Sequence, residues 1–294
     1  ASDGSIQIVV NGGTPTYTYS WSGGLPATAQ QNNLPAGPYQ LSLTDANNCL
    51  LVSDTLWLDR PPPISYELSI DSTSCSYSSD GSVQISNLTG GTGSLSLLWP
   101  DGTSGLTNAN LPIGEANLTI TDENDCLTLI PYSVPGPAPL VVASLEQENV
   151  SCFGLCDGSI TVNATGGTPP YLYSGNNGTT FGVSNVLNNL CAGIAGVVVQ
   201  DGNGCLRNLN VNVTQPALLT ANYTLSDPIC NDDCNGQITV NAAGGTPVYQ
   251  YSANGGALQS SLDLTGLCSG NNTILLQDGN GCQVTSVQNL GNPP

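Results

Sequence analysis

The stretch CDGSITVNATGGTPPYLYS (residues 156–174) returns almost unchanged as CNGQITVNAAGGTPVYQYS (residues 234–252), and this repetition decides how the whole chain is read. Looser versions begin at Asp3, DGSIQIVVNGGTPTYTYS, and at Asp80, DGSVQISNLTGGTGSLSLL. The glycine after the first residue of the motif falls at Gly4, Gly81, Gly158 and Gly236, at intervals of 77, 77 and 78 residues. A fixed period with self-similar content marks an array, and a unit of this length can bury a small core of its own, unlike a solenoid repeat. The boundaries fall in the proline-marked stretches DRPPPIS, VPGPAPL and TQPALL, where fixed backbone angles and missing amide hydrogens favour stiff connectors. The expected domains are repeat 1 over residues 1–60, truncated at its start, repeat 2 over 61–137, repeat 3 over 138–215 and repeat 4 over 216–294.

Composition narrows the chemistry. There is no His, Lys or Met, and Arg60 and Arg207 stand against 21 acidic residues for a formal charge of −19. Serine and cysteine hydrolases normally draw their base from His or Lys, and Schiff-base chemistry needs Lys. The expectation is that the chain is not an enzyme. Nucleic acid is excluded as a partner, because its binding requires positive charge to displace counterions. No run of about 18 apolar residues exists to cross a bilayer.

Eleven cysteines occupy repeat-specific columns. Cys75, Cys152 and Cys230 each lie six residues before the motif glycine, whereas Cys49, Cys126, Cys205 and Cys282 each close a late turn of the TDANN, TDEND or QDGNG kind. Pairing of these early and late columns within each domain gives Cys75–Cys126, Cys152–Cys205 and Cys230–Cys282. A second pair of columns is filled only in repeats 3 and 4, giving Cys156–Cys191 and Cys234–Cys268; repeats 1 and 2 carry Ser2 with Pro35 and Ser79 with Pro112 instead. Both members are present or absent together, as a bond requires. Cys49 is left over, with its partner by register just upstream of Ala1. A zinc tetrad built on Cys152 and Cys156 would have to be missing from the two-cysteine repeats, which favours disulfides and with them a location outside the cytoplasm.

Short runs alternate between polar and apolar residues, as at Ile64, Tyr66, Leu68 and Ile70, at Val83 and Ile85, and at Leu118 and Ile120. Period two means strands with one face buried. The fold class expected is all-β: a tandem array of small immunoglobulin-like antiparallel β-sandwich domains of about seven strands each, stapled by disulfides. Tyr17, Tyr19 and Trp21 share one strand face, as do Tyr171 with Tyr173 and Tyr249 with Tyr251. Packing in the core is the expected use of these aromatics, and stacking on sugar rings the alternative.

An early cysteine, then DGSITV, then GGTPTYTYSW, then LPAGPYQLSLTDANNC, then a proline linker resembles the SprB repeat of Bacteroidota cell-surface proteins. The likeness runs copy after copy and is weakest at TGSLSLLW, where Leu95 and Leu97 replace tyrosines. It implies an extracellular, cell-surface protein of the kind exported by type IX secretion, including gliding-motility adhesins. The function expected is a structural segment of a long adhesin, stalk or filament, extended by its linkers and by repulsion between acidic domains. The alternative is a polysaccharide-binding tandem module of a secreted protein. Neighbouring repeats of the same chain are the expected partners, with surface glycans or identical chains in a fibre as further ones.

Two minor sites complete the reading. Asp122, Glu123 and Asp125 crowd one late turn and are weak calcium candidates; Asp and Asn are also ordinary turn residues, and no cofactor is otherwise expected. Asp54-Thr55-Leu56 and Asp71-Ser72-Thr73 match the Bacteroidota O-glycosylation pattern, which makes Thr55 and Ser72 candidate acceptors.

Overall fold

The computed structural model describes residues 2–230 and 233–292. Twenty-five strands and a single 3-10 turn, Ser22–Gly24, make up its regular structure. All pairings described are antiparallel.

Repeats 3 and 4 share one plan. In repeat 3, Gly158–Thr165 is the central strand of a three-stranded sheet between Val141–Glu148 and Val186–Leu190; Gly193–Gln200 is the centre of a second, between Leu172–Ser174 and Leu206–Val213. In repeat 4 the first sheet orders Thr220–Ser226, Gly236–Ala243 and Asp263–Leu267, and the second Gln250–Ala253, Gly270–Gln277 and Gln283–Leu290. Each repeat therefore has six strands where the spacing of turns suggests about seven. The core lies between the two sheets: Ile160, Val162 and Val150 meet Tyr173, Val197, Val199 and Val213 in repeat 3, and Ile238, Val240 and Leu264 meet Tyr251, Ile274, Leu276 and Leu290 in repeat 4. Alternation along the central strands produces this, since side chains two apart point to one face.

Repeat 2 repeats the plan with Ser65–Asp71, Gly81–Thr89 and Thr107–Leu111 in one sheet and Ser96–Leu98, Gly114–Thr121 and Leu127–Val134 in the other. Trp99, 1% exposed, stacks edge-to-face on Tyr132 with centroids 5.6 Å apart. Repeat 1 differs. Its first sheet has two strands, Gly4–Gln7 and Gln30–Leu34, and its second side is divided into Thr18–Trp21, Leu41–Thr44, Leu50–Val52 and a separate ribbon of Gly37–Tyr39 with Leu56–Leu58.

The motif glycine opens the central strand because its site has no room for a side chain. A Cβ on Gly158 would lie 3.0 Å from the Leu190 carbonyl oxygen, and one on Gly236 would lie 2.7 Å from Leu290. Gly4 and Gly81 are closed in the same way, by Leu58 and Val134.

By contacts the chain forms two compact units: Ala1–Ile70, Ser82–Ala109 and Glu115–Ser133 in one, Asp71–Gly81, Asn110–Gly114 and Val134–Pro294 in the other. Each proline-marked boundary falls between strands, but the segment around Cys75 belongs with the second unit, to which a covalent bond ties it.

Candidate functional site: the junction between neighbouring repeats

Every late turn is held by one carboxylate. In repeat 3, Asp201 Oδ1 accepts the Asn203 and Cys205 N–H groups at 3.0 and 2.8 Å, and Oδ2 accepts the Thr168 N–H at 2.8 Å. Asp278 does the same for Asn280, Cys282 and Thr246, Asp122 for Asn124, Cys126 and Thr92, and Asp45 for Asn47, Cys49 and Thr14. Hydrogen bonds to the ionised form favour it. The Thr14 amide above all lowers the Asp45 pKa, and the Cys126 amide that of Asp122. The threonine in each set comes from the GGT turn, so the carboxylate clamps that turn to the late turn.

The two glycines of GGT explain themselves here. Gly166 adopts φ 74°, and a Cβ would lie 2.0 Å from the carbonyl oxygen of Pro139 in the linker; on Gly167 it would lie 2.5 Å from Asp201 Oδ2. Gly244 and Gly245 stand in the same relation to Leu218 and Asp278. The Gly167 and Gly245 N–H groups donate to the linker carbonyls of Ala138 and Ala217. Linker, GGT turn and late turn thus gather at the entry end of a repeat.

The early cysteine lies at the other end. Val150 donates to the carbonyl of Thr214, just past the last strand of repeat 3, and Gly154 donates to Gln215 Oε1. Strands of eight residues separate the two ends, roughly 25 Å at the rise of a β-strand. A disulfide needs Cα atoms within about 7 Å. Pairing within a repeat is geometrically closed.

The structure accordingly joins Cys75 to Cys205 and Cys152 to Cys282, both across 130 residues, with Cα separations of 5.7 and 5.8 Å. This corrects three pairings expected from the sequence. Cys75 is not bonded to Cys126, Cys152 is not bonded to Cys205, and Cys282 is not available to Cys230; Cys75 and Cys152, each at the exit of one repeat, reach the late turn at the entry of the next. Cys156 is bonded to Cys191 and Cys234 to Cys268, inside their own repeats, where the second pair of columns places them. Cys49, Cys126 and Cys230 are unpaired and exposed.

Polar contacts repeat around each staple. The Asn203 amide donates to the Ser74 carbonyl oxygen at 2.9 Å and to Thr168 Oγ1, and Asn280 donates to Ser151 O at 2.9 Å and to Thr246 Oγ1. Asparagine stands two residues before the late cysteine in all four copies, as Asn47, Asn124, Asn203 and Asn280. Tyr77 adds a hydroxyl that accepts the Leu206 N–H at 3.1 Å. On the exit side, Asp80 and Asp157 accept the amides of Ser74 and Ser151, and Asn235 accepts that of Ile229 at 2.9 Å. Either residue type supplies the needed Oδ1 acceptor, so Asp alternates with Asn in the motif. The Ser74 hydroxyl, with Ser78 next, pulls Asp80 down to about 2.

Of the calcium candidates, Asp122 is committed to three backbone amides, Glu123 accepts the Ser94 N–H at 3.4 Å and Asp125 sits at φ 58° in the turn. Among the described residues no group of three metal-ligating side chains forms. The aromatic ladder is inward: Tyr173, Tyr251 and Trp21 are buried, while Tyr17, Tyr171 and Tyr249 each donate a hydroxyl to a carbonyl of the GGT turn, those of Gly12, Gly166 and Gly244. Thr55 and Ser72 are exposed.

With this geometry the chain can be compared with known proteins. Three segments match the SprB repeat. They are residues 1–26, 144–180 and 222–258, each covering motif strand and GGT turn. The second copy, with leucines in place of tyrosines, is not among the matched residues. No curated protein matches the chain. Among solved structures, Sidekick-1 immunoglobulin domains 1–5 resemble it at 13% identity and a TM-score of 0.32, over 98% of this chain and 76% of that one. The extracellular domains 3–5 of Drosophila OTK do so at 11% and 0.25, over 67% and 85%, and the insect immune protein hemolin at 10% and 0.24, over 98% and 94%. No helix among the described residues is long and apolar enough to cross a membrane.

Proposed function

We propose that the chain is a structural segment of an extracellular surface adhesin or stalk, in which SprB-type repeats are linked twice, once through the backbone and once through a disulfide from exit to entry. The observation that carries this is the recurrence of one bond, 130 residues long, at two successive junctions. A second covalent path restricts bending and keeps neighbours attached after a single backbone cut. The buried or internally bonded tyrosines favour this reading over a polysaccharide-binding module, because they leave no exposed aromatic ladder for sugar rings. Roles in gliding and export by type IX secretion accompany the SprB match as part of the same proposal, as does sugar on Thr55 and Ser72.

Small-angle scattering with and without a mild reductant tests the stalk. An elongated profile that becomes more flexible on reduction is expected; a maximum dimension near that of one globule of 30.0 kDa overturns it. Saturable binding on a polysaccharide array that is lost in Tyr171→Ala would favour the module instead.

A further inference from the structure

Tyr19, Leu97, Tyr173 and Tyr251 hold one register position, opposite Leu43, Ile120, Val199 and Leu276 on the neighbouring strand. Two residues further on, the same inward face carries Trp21, Trp99, Gly175 and Ala253. Trp21 and Trp99 are buried, and each indole N–H donates to a carbonyl, that of Thr28 at 2.9 Å and that of Gly105 at 3.0 Å. These two carbonyls are equivalent. Each belongs to the residue before one that accepts an amide of the motif strand, since Ile8 donates to Ala29 and Ile85 to Leu106.

The same relation finds the matching carbonyl in the other repeats. Val162 donates to Asn185 and Val240 to Leu262, which places it on Ser184 in repeat 3 and Ser261 in repeat 4. Repeat 4 has Ala253 in place of tryptophan, but the Gln259 side-chain amide donates to the Ser261 carbonyl at 3.2 Å. Its buried Asn272 also donates to the Cys268 carbonyl four residues back, as the Tyr39 hydroxyl does to that of Pro35 in repeat 1. Repeat 3 has none of these side chains. Gly175 replaces the tryptophan, Gly182 faces Tyr173 where Gln259 faces Tyr251, and Ala195 follows Cys191 at the position of Asn272. Among the described residues nothing donates to the Ser184 carbonyl.

The result is a groove of about 700 Å³, lined by Phe181, Ser184, Leu187, Leu190, Cys191 and Ala195 among others. Leu187 and Leu190 are half-buried there, whereas their counterparts Leu264 and Leu267 in repeat 4 are buried. A Cβ on Gly175 would lie 3.6 Å from the Leu187 side chain and 3.4 Å from that of Leu190. The groove therefore opens where a side chain at position 175 would project.

We propose that this groove binds a small planar aromatic molecule of the indole class, with its ring N–H directed at the Ser184 carbonyl. The filled copies in the same chain carry the inference: in repeats 1 and 2 the position is occupied by an indole, held by apolar packing and one hydrogen bond to the equivalent carbonyl. A volume of this size falls within the range of about 300–1,000 Å³ typical of small-molecule sites. An acceptor without a donor selects a ligand that brings one, because an isostere leaves the carbonyl unpaired. The net charge of −19 favours neutral or cationic rings over anionic ones. The site goes beyond the stalk reading and does not depend on it.

Calorimetric titration of the 294-residue chain with indole is expected to give one saturable site, with new hydrogen-exchange protection over residues 181–195. Benzofuran, which keeps the ring shape but has an oxygen in place of the N–H, should bind about tenfold more weakly. Gly175→Trp restores the residue of repeats 1 and 2, and its Cβ meets only the Leu187 and Leu190 side chains at ordinary contact distance. It should abolish indole binding without lowering the thermal midpoint. Equal affinity for indole and benzofuran, unchanged binding in Gly175→Trp, protection outside the groove, or no saturable binding up to the solubility of indole would each overturn the proposal. The benzofuran comparison uses the unaltered chain, so it decides the matter even if the variant fails to fold.

Discussion

Cys205 is bonded to Cys75, 130 residues earlier in the preceding repeat, and the same offset recurs between Cys152 and Cys282. The bond leaves the exit of one sandwich and enters the next at its late turn. Digestion at acidic residues under non-reducing conditions should therefore release a cross-linked pair containing Cys75 and Cys205. Intact mass after alkylation should count three reactive thiols, Cys49, Cys126 and Cys230. A fragment joining Cys75 to Cys126 would refute the junction.

Removing one staple, by Cys152→Ser with Cys282→Ser, should lower the unfolding midpoint of repeats 3 and 4. A loop of this size contributes about 5 kcal/mol in the chain-entropy model, as an upper figure. Denaturant unfolding followed by Tyr fluorescence would show it, with a broader or split transition as the two repeats lose their second link.

The Asp201 clamp should be costly to alter. Asp201→Asn exchanges one acceptor oxygen for an amide donor that faces the Thr168 N–H, and the loss should be about 2 to 4 kcal/mol. Unchanged stability in urea titration would show that the GGT and late turns hold without it.

Two glycine substitutions separate crowding from backbone preference. Gly166→Ala would force a Cβ to within 2.0 Å of the Pro139 carbonyl oxygen, a backbone atom, and should cost about 3 kcal/mol or more. Gly178→Ala has a similar φ of 77° but meets only side chains at ordinary contact distance, the Phe181 ring at 3.5 Å and Val198 Cγ2 at 3.8 Å, and should cost about 1 kcal/mol. Thermal melts of equal depth for the two would contradict the close packing of linker and GGT turn.

Asp80 sets an acid limit. Its folded pKa of about 2 lies below the ordinary 3.8, so its contribution is complete above pH 3.8 and is lost as pH falls toward 2. Asp80→Asn, the exchange that Asn235 already represents in repeat 4, should flatten the decline in denaturation midpoint between pH 4 and pH 2. A variant as acid-sensitive as the parent would locate the effect elsewhere.

Much of the fold is readable along the chain because its causes are local. Alternation at Val83 and Ile85 or at Ile160 and Val162 marks a strand with one buried face, and the motif glycine marks a strand start that admits no side chain. The inward placement of Tyr173 and Tyr251 follows from the same alternation. The number of strands is less legible, since a run of turns does not say which short extended piece finds a partner. The role of the late-turn aspartates is also hidden: Asp201 and Thr168 are 33 residues apart, and nothing in either turn names the other.

By itself the sequence determined the array, its period, its strand-forming pattern and the fact that early and late cysteine columns belong together. It could not choose between a partner in the same repeat and one in the next, because a periodic chain offers both. Loop entropy separates the two closures by only about 1 kcal/mol. Tertiary structure made the choice, through the length of the strands. Eight residues of β-structure hold the early and late cysteines of one repeat at opposite ends of its sandwich, and the linker brings the exit of that repeat to the entry of its neighbour. The bond forms where the ends meet.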